Sequence, residues 1–222
     1  MTYEYHIFSP YCVCPVGAHI DHQQGPVTGF ALDRGVNMDF SATDDGTVEL
    51  RSLSFPNVLQ TSLHLPYIVR QNDWGDYFRG VVQVMRDEFK LERGVTGVIR
   101  GSLPSGGIAS SAALLCAFVA ALARANGLHV TPKQTVEIAS KAERQFIGLD
   151  NGVLDQSCVT FSKKGHLLYL DTATGEQRLI PFGDQPGCDL PFKIVIFYSG
   201  VTRSLMSTDY NLRVEECRAA AW

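Results

Sequence analysis

The most informative part of this sequence is a glycine- and serine-rich segment between a predicted strand and a predicted helix: Gly101-Ser102-Leu103-Pro104-Ser105-Gly106-Gly107-Ile108-Ala109-Ser110-Ser111-Ala112-Ala113. Glycines let backbone N–H groups approach an anion closely, and a helix start adds a partial positive charge. The hydroxyls of Ser110 and Ser111 fall in the first helical turn, where they can bond phosphate oxygens or Mg²⁺. Because no lysine follows, this is not a Walker A loop. The segment predicts phosphate binding, with a flexible turn and serine helix caps as the alternative.

The sequence on either side of this segment predicts a mixture of strands and helices. Residues 109–126 are alanine-rich and almost uncharged, which predicts a buried helix that Gly127 ends. Helices are also predicted over 73–90 and 131–146. Alternating or β-branched residues predict strands over 3–8, 36–41, 47–53, 95–101, 166–171, 177–182 and 192–199. Since strands and helices do not alternate strictly, the predicted class is α+β rather than a doubly wound sheet.

The composition of the 222 residues excludes several classes of protein. Apolar residues make up 45% of the chain, far more than in a disordered protein. The net charge is −4, whereas nucleic-acid-binding proteins usually carry a basic excess. The sequence has no run of about 18 apolar residues, and its first residues are too polar for a signal peptide. Six cysteines without a C-x-x-C pair predict reduced thiols in a soluble, cytoplasmic enzyme, rather than disulfides or a zinc site.

The last residues predict a helix for which the sequence contains no terminating signal. From Ser207 a cap of serine, threonine and aspartate leads into helical spacing of Leu212, Glu216 and Ala219, and neither glycine nor proline follows. The chain is therefore expected to be truncated, with one domain over 1–182 and the incomplete start of a second α+β lobe over 192–222. Residues 183–191 are a candidate hinge. Either a missing C-terminal half or self-association is expected to cover the exposed apolar surface.

Five short motifs follow one another along the chain: SPYCVCPVGAHIDH over 9–22, WGDY over 74–77, the glycine-rich loop over 104–113, AER with NGVLDQ over 142–156, and Tyr210 with Arg213. Their residues and order resemble the GHMP kinase superfamily, and within it the galactokinase family. The run Ala-His-Ile-Asp-His is closest to galacturonokinases. The resemblance covers almost the whole chain. It implies that residues 1–182 form a GHMP-kinase-like N-terminal domain, similar to domain 2 of ribosomal protein S5, with sugar and phosphate motifs.

The resemblance implies a catalytic centre. Asp155 corresponds to the catalytic base that faces the anomeric hydroxyl of the sugar, and a helix-capping aspartate is the alternative. Ser111 and Glu143 correspond to Mg²⁺ ligands, since a hydroxyl and a carboxylate suit that ion. A solvated glutamate on an amphipathic helix is the alternative for Glu143. The resemblance also places the ATP phosphates along the glycine-rich loop, at Pro104, Ser105, Gly106, Gly107, Ile108, Ala109, Ser110 and Ser111.

The implied sugar site draws on the first and last motifs. His19 and Asp21 correspond to residues that bind sugar hydroxyls, together with Gly152 and Tyr210. Loop capping by Asp21 and an ordinary helix-start tyrosine are the alternatives. Ala18 stands where galactokinases carry a glutamate that accepts a hydrogen bond from the 6-hydroxyl. A glutamate would repel the carboxylate of galacturonate by about 4 kcal/mol at about 4 Å and an effective dielectric of about 20. A small residue chosen for loop packing is the alternative reading of Ala18.

Cys12 departs from the family pattern, which has an arginine here to neutralise charge between base and phosphate. A thiol lacks that fixed charge, and one such interaction contributes roughly 3 kcal/mol in a transition state. Arg34 and Arg203 are candidates to replace the missing arginine.

The predicted function is ATP-dependent phosphorylation of the anomeric hydroxyl of galacturonate or a related galactose-type sugar, without nucleic-acid or membrane partners. An ordinary galactokinase and a catalytically weak sugar-binding or sensor homologue are the alternatives. Trp74 and Tyr77 are predicted to be core residues rather than adenine contacts.

Overall fold

The computed structural model describes residues 2–182, 194–201 and 209–220. Within these residues the strands are β1 Tyr5–Val13, β2 Pro26–Thr43, β3 Thr47–Ser52, β4 Val58–Ser62, β5 Gly94–Gly101, β6 His166–Asp171 and β7 Gln177–Pro181. The helices are α1 Asp76–Glu88, α2 Ser110–Ala125, α3 Pro132–Lys141, α4 Leu154–Phe161 and α5 Tyr210–Ala220. The described strands form one sheet in the order β4-β3-β5-β2-β6-β7, with β1 also paired to β2.

Strand β2 is 18 residues long and joins the parts of the sheet. Its second half pairs antiparallel with β5, starting with Val36 opposite Gly101. Its first half pairs antiparallel with β6, and β1 runs antiparallel along residues 30–40. Strands β3 and β5 are parallel to each other. A mixed sheet with helices packed on it confirms the predicted α+β class.

Helix α2 is the centre of the helical layer. It contacts β1, β2 and β5, as well as α1, α3 and α4. Its alanines, such as Ala113 and Ala117, are fully buried, because small side chains let the neighbouring elements pack closely. Phe118 fills the space towards α1, where its ring lies edge-on to Phe78 with 5.1 Å between centroids. The predicted stop is confirmed, since Gly127 has a φ of 63° and lies directly beyond the helix.

Helix α3 leads directly into a π-helical turn that carries a predicted site residue. A capping box fixes the start of α3: the Thr131 hydroxyl accepts the Gln134 N–H at 3.2 Å, and the Gln134 side chain accepts the Thr131 N–H at 2.9 Å. At its other end the backbone widens into a π-helix over Ala142–Ile147, which ends at Gly148 with a φ of 85°. Such turns are rare and recur at functional sites.

The structure corrects the predicted strands at three places. The strand predicted over 192–199 is wrong over 194–199, which form no regular element, and 192–193 lie outside the described residues. Strand β4 is not among the strands that the sequence predicts. Strand β2 begins ten residues before the predicted 36–41, in a segment whose glycines resemble turn signals. Those glycines serve close packing instead, since a Cβ on Gly35 would lie 2.2 Å from the Ser9 carbonyl oxygen. The predicted hinge over 183–191 lies outside the described residues.

The segment 194–201 exposes apolar side chains, as the sequence predicts for the surface near the C-terminus. Phe197 is 88% exposed, and Val195 and Val201 are more than half exposed. Helix α5 buries Val214 but leaves Leu212 half exposed. Among the described residues, no helix combines the length and apolar composition that crossing a membrane requires.

Candidate active site

The glycine-rich loop before α2 has a backbone suited to binding an anion. Gly106 and Gly107 have φ angles of 134° and 68°, and a Cβ on either would meet no described atom within 4 Å. Ala109 also has a positive φ, 55°, which is uncommon for a residue with a side chain. The buried Ile108 anchors the loop, because its carbonyl oxygen accepts the Cys12 N–H at 3.2 Å. The loop therefore stays open to solvent while it is tied to β1.

The start of α2 has free backbone donors. Ala109 occupies the capping position and has no side-chain acceptor, so Ser110 and Ser111 lie inside the first turn rather than at the cap. The N–H groups of an uncapped first turn are available to an anion. Pro104 is exposed and Ser105 half-buried at the entrance of the loop. The predicted phosphate-binding residues thus run from the loop into the helix start, with Ile108 buried between exposed or half-buried neighbours.

Glu143 is a buried carboxylate in the π-helical turn, with 1% of its surface exposed. Its Oε2 accepts hydrogen bonds from Asn151 Nδ2 and Gln156 Nε2, both at 2.6 Å. Its Oε1 has no hydrogen-bond partner among the described residues. Burial raises the pKa of Glu143, although the nearby Asn151, Ser111 and Gln156 side chains oppose that shift. A buried acid in this position is stabilised when a cation meets its free oxygen.

The surroundings of Glu143 fit a hard cation such as Mg²⁺. Asn151 Oδ1 and Gln156 Oε1 are also buried without a hydrogen-bond partner among the described residues. Together with the Ser111 hydroxyl they supply oxygen, which is the ligand type that Mg²⁺ prefers. The sequence alone does not indicate a role for Asn151 or Gln156. Their position is the one signal that it offers, since both amides stand in the same motif as Asp155.

Asp155 lies in the first turn of α4, beside two thiols of the β1 segment. Its Oδ1 is 4.0 Å from Cys12 Sγ and 3.8 Å from Cys14 Sγ. The pKa of Asp155 is raised to about 8, first by burial and then by Cys14, Glu143 and Asp21. This carboxyl group is therefore largely protonated at neutral pH in the absence of a nearby cation. Perturbed groups of this kind are typical of catalytic sites.

Asp21 holds the loop that precedes α4. Its Oδ2 accepts the Leu154 N–H at 3.1 Å, and its Oδ1 accepts the His22 N–H at 3.0 Å. A Cβ on Gly152 would lie 2.1 Å from Asp21 Oδ2, so only glycine fits there. The loop-capping alternative therefore describes what Asp21 does in this structure. Each carboxylate oxygen has a second lone pair, which leaves it able to accept a further hydrogen bond.

Ala18 and His19 are exposed in the loop that connects β1 to β2. Gly17 lets this loop turn tightly, since it has a φ of 84° and its Cβ would lie 2.8 Å from the Pro26 carbonyl oxygen. The loop continues into a short 3₁₀ turn over Asp21–Gln23. Ala18 and His19 thus lie within three residues of Asp21, on an accessible segment.

Tyr210 lies near the acidic residues of the site. Burial raises the pKa of Tyr210, and the negative charges of Asp21, Asp155 and Glu143 raise it further. Residues from four parts of the chain therefore lie close together: the 3₁₀ turn, the π-helical turn, α4 and α5.

Helix α5 is fixed to the site by Asn211. Its Nδ2 donates to the Gly148 carbonyl oxygen at 2.8 Å, and its Oδ1 accepts the Asp150 N–H at 3.0 Å. Both partners belong to the loop between the π-helical turn and α4. Val214, one turn further along α5, is buried with 1% exposure.

Two further expectations concern arginine and the aromatic residues. Arg34 does not take the place of the family's arginine, because it is exposed and pairs with Asp33 at 3.1 Å. Arg203 lies outside the described residues. The prediction that Trp74 and Tyr77 belong to the core is confirmed: Trp74 is buried and donates to the Asn57 carbonyl oxygen at 2.9 Å, and Tyr77 packs against the core.

Residues 76–163 match the family described as the GHMP kinases N terminal domain. This match shows that the chain contains a GHMP kinases N-terminal domain. The chain is similar to the galacturonokinase of Arabidopsis thaliana, at 35% identity over 97% of this chain and 55% of that protein. It is also similar to the galactokinase of Thermococcus kodakarensis, at 33% identity over 92% of this chain and 56% of that protein.

Solved structures show the same fold. The crystal structure of Lactococcus lactis galactokinase complexed with galactose matches with a TM-score of 0.82 at 24% identity, covering 97% of this chain and 55% of that one. The Methanococcus jannaschii mevalonate kinase matches with a TM-score of 0.66 at 19% identity, covering 79% of this chain and 55% of that one. The chain spans about half the length of the curated relatives it matches. The predicted GHMP-kinase-like fold is confirmed.

Proposed function

We propose that this chain provides the sugar and phosphate sites of an ATP-dependent sugar 1-kinase that acts on galacturonate. One observation carries the proposal. Asp21, proposed to bind the sugar, and Glu143, proposed to bind the metal, are both near enough to the Asp155 carboxyl group to raise its pKa. A base between a hydroxyl acceptor and a phosphate donor is the arrangement that phosphoryl transfer to an alcohol requires.

Each residue of the proposed site has a definite task. Asp155 accepts the proton of the anomeric hydroxyl as its oxygen bonds to the γ-phosphorus of ATP, and the bond from that phosphorus to ADP breaks. The open glycine-rich loop and the uncapped start of α2 bind the phosphates through backbone N–H groups. Asp21 and Tyr210 position the sugar. Ser111 and Glu143 would hold Mg²⁺, which would neutralise the charge on the phosphates.

Galacturonate is proposed as the substrate because of Ala18, which is exposed beside Gly17 and carries no charge. The relative at 35% identity is named a galacturonokinase, whereas the relative at 33% is a galactokinase. An ordinary galactokinase remains the alternative activity, and it would use the same Asp155, Ser111 and Glu143.

A non-catalytic sugar-binding or sensor protein is the second candidate, and Cys12 is the observation that favours it. Cys12 is buried beside Asp155 and supplies no positive charge to ionise that carboxyl group. A protein of this kind would bind sugar and ATP without transferring phosphate.

Measurement of ADP release distinguishes these candidates. The longest chain that the gene encodes is incubated with ATP, Mg²⁺ and either galacturonate, galactose or no sugar. The proposal predicts ADP release that depends on galacturonate and is weaker with galactose. Sugar binding in a calorimetric titration without ADP release would favour the sensor, and stronger release with galactose would favour the galactokinase.

The remaining parts of the proposal concern organisation and location. Residues 1–182 are proposed as the domain with the sugar and phosphate motifs, and 192–222 as the beginning of a second lobe. The exposed apolar segment 194–201 is proposed to be covered by further chain or by self-association. A cytoplasmic location is proposed because Cys12, Cys14, Cys116, Cys158 and Cys217 are free thiols, as is usual in a reducing compartment.

A further inference from the structure

Cys12 and Cys14 lie beside the Asp155 carboxyl group, and Cys158 packs against Cys12. We call these four residues the thiol cluster. Cys12 and Cys14 are two positions apart along an extended segment, so their side chains leave it on the same side. Cys158 follows Asp155 by three positions on α4, which places both on one helical face. The proposed kinase reaction uses Asp155 but none of the thiols.

Three ligand atoms of the thiol cluster lie close enough together to bind one metal ion. Cys12 Sγ, Cys14 Sγ and an Asp155 carboxylate oxygen all lie within 4.8 Å of one another. Cys158 Sγ borders the same space, since a Cβ on Gly29 would lie 2.7 Å from it and 3.5 Å from Cys14 Sγ. Cys12 and Cys158 also pack together in one small buried group. The absence of a side chain at Gly29 keeps this space open between β2 and α4.

Tetrahedral zinc would require these ligand atoms to contract towards a common centre. With Zn–S near 2.3 Å and Zn–O near 2.1 Å, a ligand sulfur and a ligand oxygen lie about 3.6 Å apart, and two sulfurs about 3.8 Å apart. The distances from Asp155 Oδ1 to the two sulfurs are 3.8 Å and 4.0 Å. Thiolate ligands select zinc and similar soft cations over Mg²⁺, which takes oxygen ligands.

We propose that Cys12, Cys14 and Asp155, with Cys158 as the fourth ligand, form a binding site for a soft divalent cation of the zinc class. Each thiol that binds the metal releases its proton to solvent. The site is distinct from the oxygen-rich site around Ser111 and Glu143, because its donors are mostly sulfur. The sequence predicts plain reduced thiols, because the spacing of Cys12 and Cys158 along the chain does not match a zinc motif. The proposed site differs from that prediction because the fold brings these cysteines together.

A metal ion bound in the thiol cluster would inhibit the proposed kinase reaction. This consequence rests on the proposed function, whereas the metal site itself does not. A carboxylate oxygen bound to zinc no longer accepts the proton of the sugar hydroxyl. The cluster would therefore bind metal in the resting protein and require its release before phosphoryl transfer.

Cobalt titration tests the site without any reference to kinase activity. The purified 222-residue chain, reduced and freed of metal with a chelator, is titrated with Co²⁺, whose bonds to thiolate give a strong near-ultraviolet band. The expected result is one Co²⁺ per chain, displaced by one equivalent of Zn²⁺. The variants Cys12→Ser and Cys12→Arg, and separately Cys14→Ser, remove one ligand each. Cys217→Ser removes a thiol on α5, outside the cluster, and is the matched control.

The expected loss of affinity is large. Disturbing a residue that merely supports a ligand costs about 10- to 100-fold in metal affinity, so removing a ligand should cost about 100-fold or more. Cys217→Ser should leave the band and the affinity unchanged. Absence of the thiolate band in the wild-type chain would overturn the proposal. So would equal Co²⁺ affinity of the wild-type chain, Cys12→Ser and Cys12→Arg, with circular dichroism confirming that the variants fold.

A second experiment tests the inhibitory consequence. One equivalent of Zn²⁺ should suppress sugar-dependent ADP release by the longest encoded chain, and a chelator should restore it. The same addition should have a smaller fractional effect on Cys12→Arg. Equal suppression of both chains would refute inhibition through the cluster. A chain that binds Co²⁺ but never releases ADP would instead contradict the proposed kinase function and leave the metal site standing.

Discussion

Asp155 is the residue on which the proposed reaction depends most directly. Asparagine keeps its shape but removes the oxygen that accepts a proton, so Asp155→Asn should lower turnover by about 100-fold or more. ATP affinity should change little, because the phosphates are bound by the glycine-rich loop. Steady-state ADP release and a nucleotide titration measure the two quantities. Asp87→Asn, at an exposed position on α1, is the control. Near-normal turnover in Asp155→Asn would show that the proton leaves by another route.

An arginine in place of Cys12 should change the pH at which Asp155 can act as a base. The pKa of Asp155 is raised to about 8, with Cys14, Glu143 and Asp21 adding to the effect of burial. A positive charge nearby favours the ionised carboxylate and lowers its pKa. Cys12→Arg should therefore move the acidic limb of the rate profile to lower pH and increase turnover at neutral pH. Cys12→Gln, which is polar but uncharged, should leave the limb in place. An unchanged profile in Cys12→Arg would contradict this electrostatic role.

Ala18 is proposed to admit the carboxylate of galacturonate. In Ala18→Glu, two negative charges about 4 Å apart would repel by roughly 4 kcal/mol at an effective dielectric of about 20. The variant should therefore lose up to about a thousandfold in kcat/KM for galacturonate, with a much smaller change for galactose. Ala18→Gln, of similar size but neutral, separates charge from bulk. A wild-type preference for galactose, or an acid preference that survives Ala18→Glu, would disprove the role of this position.

At the scale of elements, helix α5 is held in the site by the side chain of Asn211. Asn211→Ala removes both of its hydrogen bonds to the loop around Gly148 and Asp150. Each such bond contributes about 1 kcal/mol net, so α5 should open more often and hold Tyr210 less firmly. Hydrogen exchange over 210–220 should accelerate and sugar affinity should fall. Glu215→Ala, at an exposed position on the same helix, should change neither. Unaltered exchange in Asn211→Ala would show that Val214 alone fixes the helix.

The elements that could be predicted are those with a local signal. The alanine-rich run of α2 and its Gly127 stop specify a buried helix without knowledge of anything else in the fold. The widening of the helix around Glu143 could not be predicted, because a π-helical turn has no distinctive composition. Strand β2 was predicted only in part, since Gly29 and Gly35 resemble turn residues until their close neighbours are known.

In the candidate site, too, residues with a local sequence signal could be predicted and residues that depend on tertiary contacts could not. Asp155, Glu143 and Ser111 could be named because each stands in a short motif. Their partners could not, because contact with Asn151 and Gln156 depends on how the π-helical turn meets α4. The thiol cluster is the extreme case, because Cys12 and Cys158 are 146 residues apart in the sequence and only the fold brings them together.

At the scale of the whole molecule, the exposed apolar segment 194–201 should make the 222-residue chain self-associate. Phe197 is 88% exposed, and several of its neighbours are more than half exposed. Sedimentation velocity should show oligomers that grow with concentration, and Phe197→Asp should reduce them. Tyr67→Asp, which replaces an aromatic residue that is 82% exposed elsewhere, is the control. A compact, thermally stable wild-type monomer would contradict the expectation.

The hydrogen bond between Asp21 and Leu154 joins positions 133 residues apart. A ribosome that adds about 5–20 residues per second therefore makes Asp21 roughly 7 to 27 s before its partner. Strands β1 and β2 can pair during this delay, whereas Cys12 and Cys14 must wait for α4. For that time the nascent chain presents two thiols without Asp155 or Cys158. The newly synthesised protein is consequently most vulnerable to oxidants, and to stray metal ions, before its translation is complete.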